Sequence, residues 1–598
     1  MAESPGKALN GYVNVSVISN GEEIKSIFRL ISFTIRKEVN KIGKAVISFE
    51  AGNMPKGENP ESDLPTFGIG NEIAVEAGYG DKKELIFKGI VISHQFNIEE
   101  NNETAIQIEC RDFAFPMTLT RKDHVFKNKT DNGIIREIAE SNGLKSTTIE
   151  IGSTKDQHSI LTQYQCTDWD FILSRAEVNE MVVIVDNEDI FIKEPSLDKS
   201  PALKINYGRD VIEFDGKLSA SSQRTIIKAI TWDPETQKRI VVTNKKPALN
   251  DQGEDDPGKI AHAVTKSEDT ITTSATISQE ALQKMADSRA LRNGLSKILG
   301  TCKFCGSSKA VHGELIELES FGKRFDGNAY IGSVEHEYNE YGWTTTIGMG
   351  LPDTKATEAP QVSAPAASGY LPGIQGLHIG KVKNLKGSGP NEFKIEVEIP
   401  VLNAESNKVW ARPGSFWASN AYGAFFIPDI DDEVILGFLN NDPCHPVILG
   451  SLYSNKQQPP YELTTKNNIR AIVSKSKLKI ELEEDEKVIT IETPGKNKVI
   501  ISDKDKGIQL IDQHKNKIVM NDSGILIESS KEIVLKAKTN VTIDAGNNLG
   551  AKAKANIDMK GLKINAKADM ELTVKGTAKA EISASGQTVV KGAMVMIN

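Results

Sequence analysis

Residues 525–560 read ILIESSKEIVLKAKTNVTIDAGNNLGAKAKANIDMK, and their spacing decides the fold. Taken in steps of eight, Ile525, Ile533, Val541, Leu549 and Ile557 fall in register. Two residues on, Ile527, Leu535, Ile543, Ala551 and Met559 do the same. After a one-residue slip the pattern resumes with Ile564 and Ala566, Leu572 and Val574, then Ala580 and Ile582. An i, i+2 pair puts both apolar side chains on one face of a strand. A single-chain β-helix needs a coil of about 18 to 25 residues to surround a core. Eight residues supply one strand and one turn, so one chain cannot cover its own apolar face. Three chains, each giving one strand per layer, make a coil of about 24 residues with the apolar pairs inside. The spacing therefore predicts a homotrimer whose residues 463–598 form a three-chain intertwined β-helix, or β-prism.

Composition agrees with a narrow shaft. Tyr461 is the last aromatic residue and Pro494 the last proline, and small aliphatic side chains suit a crowded axis. Looser units at 488–491, 499–501, 508–511 and 518–520 extend the pattern upstream. At about 4.8 Å per strand, roughly thirteen layers predict a needle about 60 Å long. A disordered lysine-rich tail is opposed by the strict register; a repetitive adhesin stalk is not. The sequence ends inside the pattern at Met594, Val595, Met596, Ile597 and Asn598. An apolar end layer with open strand edges needs a cover, so a small separate tip protein is expected on these residues.

Working outward, residues 354–373, TKATEAPQVSAPAASGYLPG, read as a linker. Between it and the needle, residues 374–462 alternate in roughly five short strands, which suits a small closed barrel. Before it, residues 12–18, 85–92 and 104–110 read as strands. Two helices are expected: Asp131–Ser141 opening on an Asp cap, and residues 278–299 with a Ser278 cap and Gly300 as the stop. The fold class is thus mainly β, with an α+β body, a barrel and a C-terminal β-prism.

The 598 residues require several domains, and 26% charged with 39% hydrophobic residues is ordinary for a soluble protein. A net charge of -9 gives no support to nucleic acid or anionic membrane as the main partner. No apolar run of about 18 residues predicts a membrane anchor. The N-terminus MAESPGKALNGYVNVSV lacks a signal region, so assembly in the cytoplasm and release by a dedicated machine are expected. Cys110, Cys166, Cys302, Cys305 and Cys444 do not form a disulfide framework, and the lone pair Cys302 and Cys305 reads as two reduced cysteines near a loop.

Three motif groups resemble the valine–glycine repeat (VgrG) spike family of bacterial type VI secretion, itself similar to the fused hub and needle of contractile phage tails. In the barrel, Pro428, Glu433 with Val434, Asp442 with Pro443, Pro446 and Gly450 match the family's oligosaccharide/oligonucleotide-binding-fold (OB) pattern. In the body, Tyr164 to Phe171 followed by Arg175, and residues 331–346, resemble hub segments, with Cys166 standing where the family usually has Glu. The octad needle is the third group. The resemblance implies a trimeric hub over 1–353: a first barrel domain at 1–115, a helical insertion at 116–225 and a second barrel domain at 226–353. It implies an OB barrel at 374–462 and the needle at 463–598. Implied partners are an Hcp-like tube hexamer under the hub, a PAAR-like tip protein, baseplate components and effectors or their adaptors. The implied function is mechanical puncture and effector delivery, followed by release into the target cell. A phage-derived injection particle is the alternative.

Chemistry is hard to find in the sequence. Val334-Glu335-His336-Glu337 has one histidine and cannot form a zinc helix, and Gly376 to Val382 is one residue short of a P-loop. Phe416, Trp417, Tyr422, Phe425 and Phe426 lack basic company after Arg412 and read as barrel core or subunit contact rather than a nucleic-acid face. The acid-rich run 481–486 reads as a solvated turn or strand end. A β-helical polysaccharide-degrading enzyme would need paired carboxylates in an aromatic-lined groove, which the aromatic-free shaft opposes. No cofactor, catalytic residue or metal ligand is expected.

Overall fold

Strand Arg29–Glu38 shows how the N-terminal body is built. Phe33 and Ile35 point inward and their neighbours outward, the two-residue period of a half-buried strand. The same alternation in Lys44–Glu50 and Thr104–Arg111 fills a core with Ile47, Phe49, Ile106, Ile108 and Cys110. The computed structural model describes residues 2–8, 11–52, 56–98, 103–264 and 268–597. The chain divides into two compact units, Met1–Leu452 and Tyr453–Asn598.

In the first unit, strands drawn from Val13 to Met349 join one 13-stranded sheet. The junction is the antiparallel pairing of Arg29–Glu38 with Gly327–Asn339, from Ser333 opposite Glu38 to Tyr338 opposite Phe33. A second core, including Phe304, Ile316, Ala329, Val334 and Ile347, lies on the far half of that sheet. Between the halves, helices Asp131–Ser141 and Asp168–Val178 and a three-stranded sheet bury Ile134, Ile138, Trp169, Ile172 and Val183.

Two helix ends differ from expectation. Asp131 is not a cap: Thr130 holds that position, and Asp131 turns inward as the first helical residue. The second helix is Gln279–Leu295, with the Ser278 hydroxyl accepting from Ala281 N as predicted. It stops before Gly300, which lies instead in strand Ile298–Cys305 opposite Gly216. A Cβ on Gly300 would stand 2.0 Å from the Asp215 carbonyl oxygen, so this glycine answers a close strand approach rather than a helix end. The same strand carries both cysteines of the C-x-x-C. Three residues apart on a strand, they face opposite ways: Cys302 is fully buried in the core and Cys305 is half-buried.

The stretch expected as a linker folds into three short 3₁₀ turns, at Ala356–Glu358, Pro360–Val362 and Ala366–Gly369. Arg121 donates to the carbonyls of Gln361 and Ser363, and Ala356 N donates to Glu177. Beyond it, five strands close a barrel, in the order His378–Asn384, Ile395–Glu398, Lys408–Pro413, Pro446–Ser451, Glu433–Phe438. Val382, Val397, Ala411, Val434 and Leu436 fill it.

The second unit is all-β where strands occur. Seven strands from Ile469–Val473 to Gly524–Glu528 form one antiparallel meander in chain order. This corrects the expectation that residues 488–520 stack one strand per chain and layer. There each strand reverses through its turn and pairs with the strand before it, at steps of nine or ten residues as far as Lys517 and of seven to Gly524. Among the described residues, no strand lies beyond Glu528 within one copy.

Candidate functional site: an uncovered aliphatic face

The meander is a sequence repeat of 19 residues that the eight-residue reading overlooked. Its signal is Lys-x-Lys: Lys477 and Lys479, Lys496 and Lys498, Lys515 and Lys517. The first lysine of each pair closes a turn in the left-handed region, at φ 66, 71 and 69°. Lys477 N donates to Ser474 O at 2.9 Å while Ser474 N donates to Leu478 O at 2.9 Å. Thr493 to Asn497 and Asp512 to Asn516 repeat both bonds. This is a type I turn followed by a left-handed residue, where glycine is the usual choice. On the other edge the turns carry Lys487 and Lys506, at φ 55 and 49°.

The register aligns two aliphatic columns on one face. Ile472, Ile480, Ile491, Val499, Leu510, Ile518 and Ile527 stand in one column. Leu482, Ile489, Ile501, Ile508, Met520 and Ile525 stand in the other, with Arg470 at its head. In a single copy this face lies open: Ile491 is 46% and Ile527 54% exposed. The opposite face is mixed: its middle column reads Ala471, Glu481, Thr490, Ile500, Gln509, Val519 and Leu526, and ion pairs lie along it. Lys479 bridges Glu481 and Glu492, Lys498 meets Glu492, and Lys517 meets Glu528 at 3.0 Å. Partial burial pushes the Glu492 carboxyl up, but hydrogen bonds from Lys496, Lys498 and Lys479 outweigh it and bring it down to about 2. Two unbroken aliphatic columns left open, with the charges kept to the other, mixed face, make a sheet built to be covered.

The octad residues continue this exposure. Ile525 and Ile527 sit on the aliphatic face of the last strand. Ile533, Leu535, Val541, Ile543, Leu549, Ile557, Met559, Ile564, Leu572, Val574 and Ile582 are all exposed in one copy, and so is Ala551. Met594, Val595, Met596 and Ile597 are exposed too, and Asn598 lies outside the described residues.

The barrel signature residues shape turns and strand starts. Glu433 opens strand Glu433–Phe438, and the buried Pro446 opens Pro446–Ser451. Asp442 accepts from Cys444 N at 2.8 Å and pairs with His445 at 3.0 Å, which hold its carboxyl below the usual range. Pro443 follows in that turn, Pro428 sits half-buried in the preceding loop, and Gly450 flanks a bulge opposite Ile435. The five aromatics divide from expectation: they are not barrel core. Phe416, Trp417, Tyr422, Phe425 and Phe426 are exposed on the loop between two barrel strands, where Phe416 stacks on Phe426 and Trp417 meets Tyr422 edge-on.

The segment from Tyr164 to Arg175 has a structural use. Thr167 caps its helix by accepting from Asp170 N, Phe171 is buried, and Arg175 grips Asp131 with two hydrogen bonds of 2.7 and 3.0 Å. Burial pushes the Asp131 carboxyl up, but Arg175, Asn179 and His158 outweigh it and hold it below the usual range. His336 lies in strand Gly327–Asn339, fully enclosed, accepting or donating at Thr345 Oγ1. A cleft of about 490 Å³ between Arg224, Lys246, Leu249 and Pro257 holds the single carboxylate Asp256, too few for two-carboxylate hydrolysis. No group of His, Cys, Asp and Glu suited to a metal occurs among the described residues. None of their helices is long and apolar enough to cross a membrane.

Residues 378–453 match the type VI secretion system/phage-baseplate injector OB domain, and residues 488–568 the phage baseplate V C-terminal trimerisation domain. Residues 10–340 match the Alg8 N-terminal domain, more than half of the chain. The type VI secretion system spike protein VgrG1b of Pseudomonas aeruginosa is 22% identical over 439 residues, 68% of this chain and 56% of that protein. The actin cross-linking toxin VgrG1 of Vibrio cholerae is 44% identical over 59 residues, 10% of this chain and 5% of that protein. The chain thus spans about half the length, or less, of these curated relatives. Among solved structures, a type VI secretion component of E. coli, the c3393 protein, aligns with 73% of this chain and 99% of its own at 12% identity and a TM-score of 0.38. The chain belongs to the Alg8 N-terminal domain family and, with an injector OB domain and a trimerisation domain behind that region, is a VgrG-like spike chain.

Proposed function

We propose that three copies of this chain form the puncturing spike at the tip of a type VI secretion tube, delivering effectors by mechanical penetration. The observation that carries this reading is the uncovered face of thirteen aliphatic residues running into the exposed octads. Three such faces turned inward make a closed prism with the ion pairs outside. The octad strands would find their hydrogen-bond partners on neighbouring copies, and continuous pairing would give a shaft stiff enough to transmit force. The core of that shaft is Ile525 to Ile582, in the register set out above.

The finer assignments belong to the same reading. Residues 1–353 form the hub, as a first domain to 115, an insertion to 225 and a second domain to 353, seated on an Hcp-like hexamer. Residues 374–462 are the collar, and Met594 to Asn598 receive a PAAR-like tip protein. Baseplate components surround the hub, and effectors or their adaptors travel with it. The chain assembles in the cytoplasm and leaves on firing; its role is mechanical and carries no catalytic step. The match of two domains to phage-baseplate families also fits a phage-derived particle, and sheath, tube and ATPase genes beside this one decide between them. The direct test compares the mass of the full chain in native solution with that of residues 1–462. A trimer that is lost on truncation is expected; a monomeric full chain would overturn the reading.

A further inference from the structure

The two turn edges of the meander differ in charge. One edge, at 474–478, 493–497 and 512–516, carries Lys475, Lys477, Lys496 and Lys515 against the single Asp512. The other, at 484–487, 503–506 and 522–523, carries Glu484, Asp485, Glu486, Asp503, Asp505 and Asp522 against Lys487, Lys504 and Lys506. Within the acidic edge Lys504 meets Glu486, and within the basic edge Lys496 reaches Glu492. The charges that face these turns from the strands are Lys479, Lys498, Lys517, Glu492 and Glu528 on the basic side, and Arg470 and Glu483 on the acidic side. One edge is therefore net positive and the other net negative.

We propose that these edges are the junctions between copies in the shaft: the basic turns of one copy seat against the acidic turns of the next. The proposal rests on the three-copy reading above and adds which surfaces meet. When three sheets close a prism around one axis, the left edge of each abuts the right edge of its neighbour, a head-to-tail contact that needs two different, complementary surfaces. The edges are complementary in charge and also in height. Basic turns join strands one to two, three to four and five to six, while acidic turns join two to three, four to five and six to seven. At about 4.8 Å per strand, the edges are offset by one strand. Each lysine turn then fits the gap between two carboxylate turns of the neighbour without any slide along the axis. Lys496 falls between the 484–487 and 503–506 turns, and Lys515 between the 503–506 and 522–523 turns.

Exposed ion pairs add little affinity each. What opposed edges settle is which edges meet and in what register. The aliphatic columns alone would tolerate a sheet turned end for end; like-charged edges brought together would not.

The experiment uses the full chain. Lys477→Glu/Lys496→Glu/Lys515→Glu should lower the yield of refolded trimer at least tenfold in dilute salt, and less at 1 M salt where screening is strong. Adding Asp485→Lys/Asp503→Lys/Asp522→Lys to the same chain should restore it. As an independent arm in a Cys444→Ser background, Lys496→Cys/Asp503→Cys should oxidise to a covalent trimer, while Lys496→Cys alone stays single-chain on a denaturing gel. The two positions lie at opposite edges of one sheet, too far apart to bridge within a copy. Dimers from Lys496→Cys alone, or a triple reversal that assembles like the parent, would overturn the edge proposal. A parent chain that is itself monomeric would instead overturn the three-copy reading.

Discussion

At the scale of single residues, charge placed out of water makes sharp predictions. Asp131 is held by Arg175, Asn179 and His158 at the joint of two helices. Arg175→Met strands that carboxylate, and a loss of about 3–5 kcal/mol is expected in urea melting of the full chain. His312 and His336 are buried against the Val185 carbonyl and the Thr345 hydroxyl, and burial first, then the Lys37 charge, outweighs the opposing Asp186 charge and brings them down to about 4 and about 3. An unfolded histidine takes its proton near pH 6.5. Because the folded values are lower, the unfolded chain binds more protons below that point. Stability is therefore full above about pH 6.5 and falls by about 1.4 kcal/mol per pH unit per histidine down to the folded values. Replacing His336 with Gln should flatten that slope in melts between pH 6.5 and 4.5. The Arg175 pattern was visible in the sequence, but its purpose was not, because the partner carboxylate lies 44 positions away. The left-handed lysines were equally hidden, since lysine does not announce a turn as glycine does. At Lys506, φ 49°, replacement by Gly should leave the chain about 1 kcal/mol more stable than replacement by Ala, which keeps the Cβ clash.

At the scale of elements, the two faces of the shaft sheet should respond in opposite ways. Ile491→Asp or Leu510→Asp puts a carboxylate on the inward columns and should leave monomers in sedimentation. Thr490→Asp or Gln509→Asp lies one residue away on the mixed face that carries the ion pairs and should leave the trimer intact. A one-residue step reverses the outcome because strand side chains alternate. The octads stand out in the sequence because aliphatic residues recur at a fixed short step. The 19-residue unit does not, because its strands run both ways and its strand-and-turn length wavers between nine and ten. Its marker is the recurring Lys-x-Lys rather than any apolar spacing. The five barrel strands were legible from alternation, whereas the exposed aromatic loop was misread in part. Its aromatic residues suggest a core, yet its backbone closes on itself through Ala424 N to Trp417 O and Ser419 N to Tyr422 O, holding the rings outside the barrel.

At the scale of the whole molecule, each unit follows a different rule. The first unit encloses its own cores, so its strands and helices could be argued from burial patterns within one chain. The second unit is unfinished in one copy, and it is there that sequence spacing pointed outward to other chains. The meander also works as a ruler. Its seven strands are odd in number, so the chain steps onto the sheet at the carboxylate-rich edge and leaves from the lysine-rich one. Removing residues 488–506 takes out two strands, keeps that sidedness, and should shorten the shaft by about 10 Å in electron micrographs. Removing a single strand and turn would instead return the chain to the side where it began, sending the octads toward the wrong neighbour. Shaft length in this lineage can therefore drift by duplication or loss, but only in paired steps.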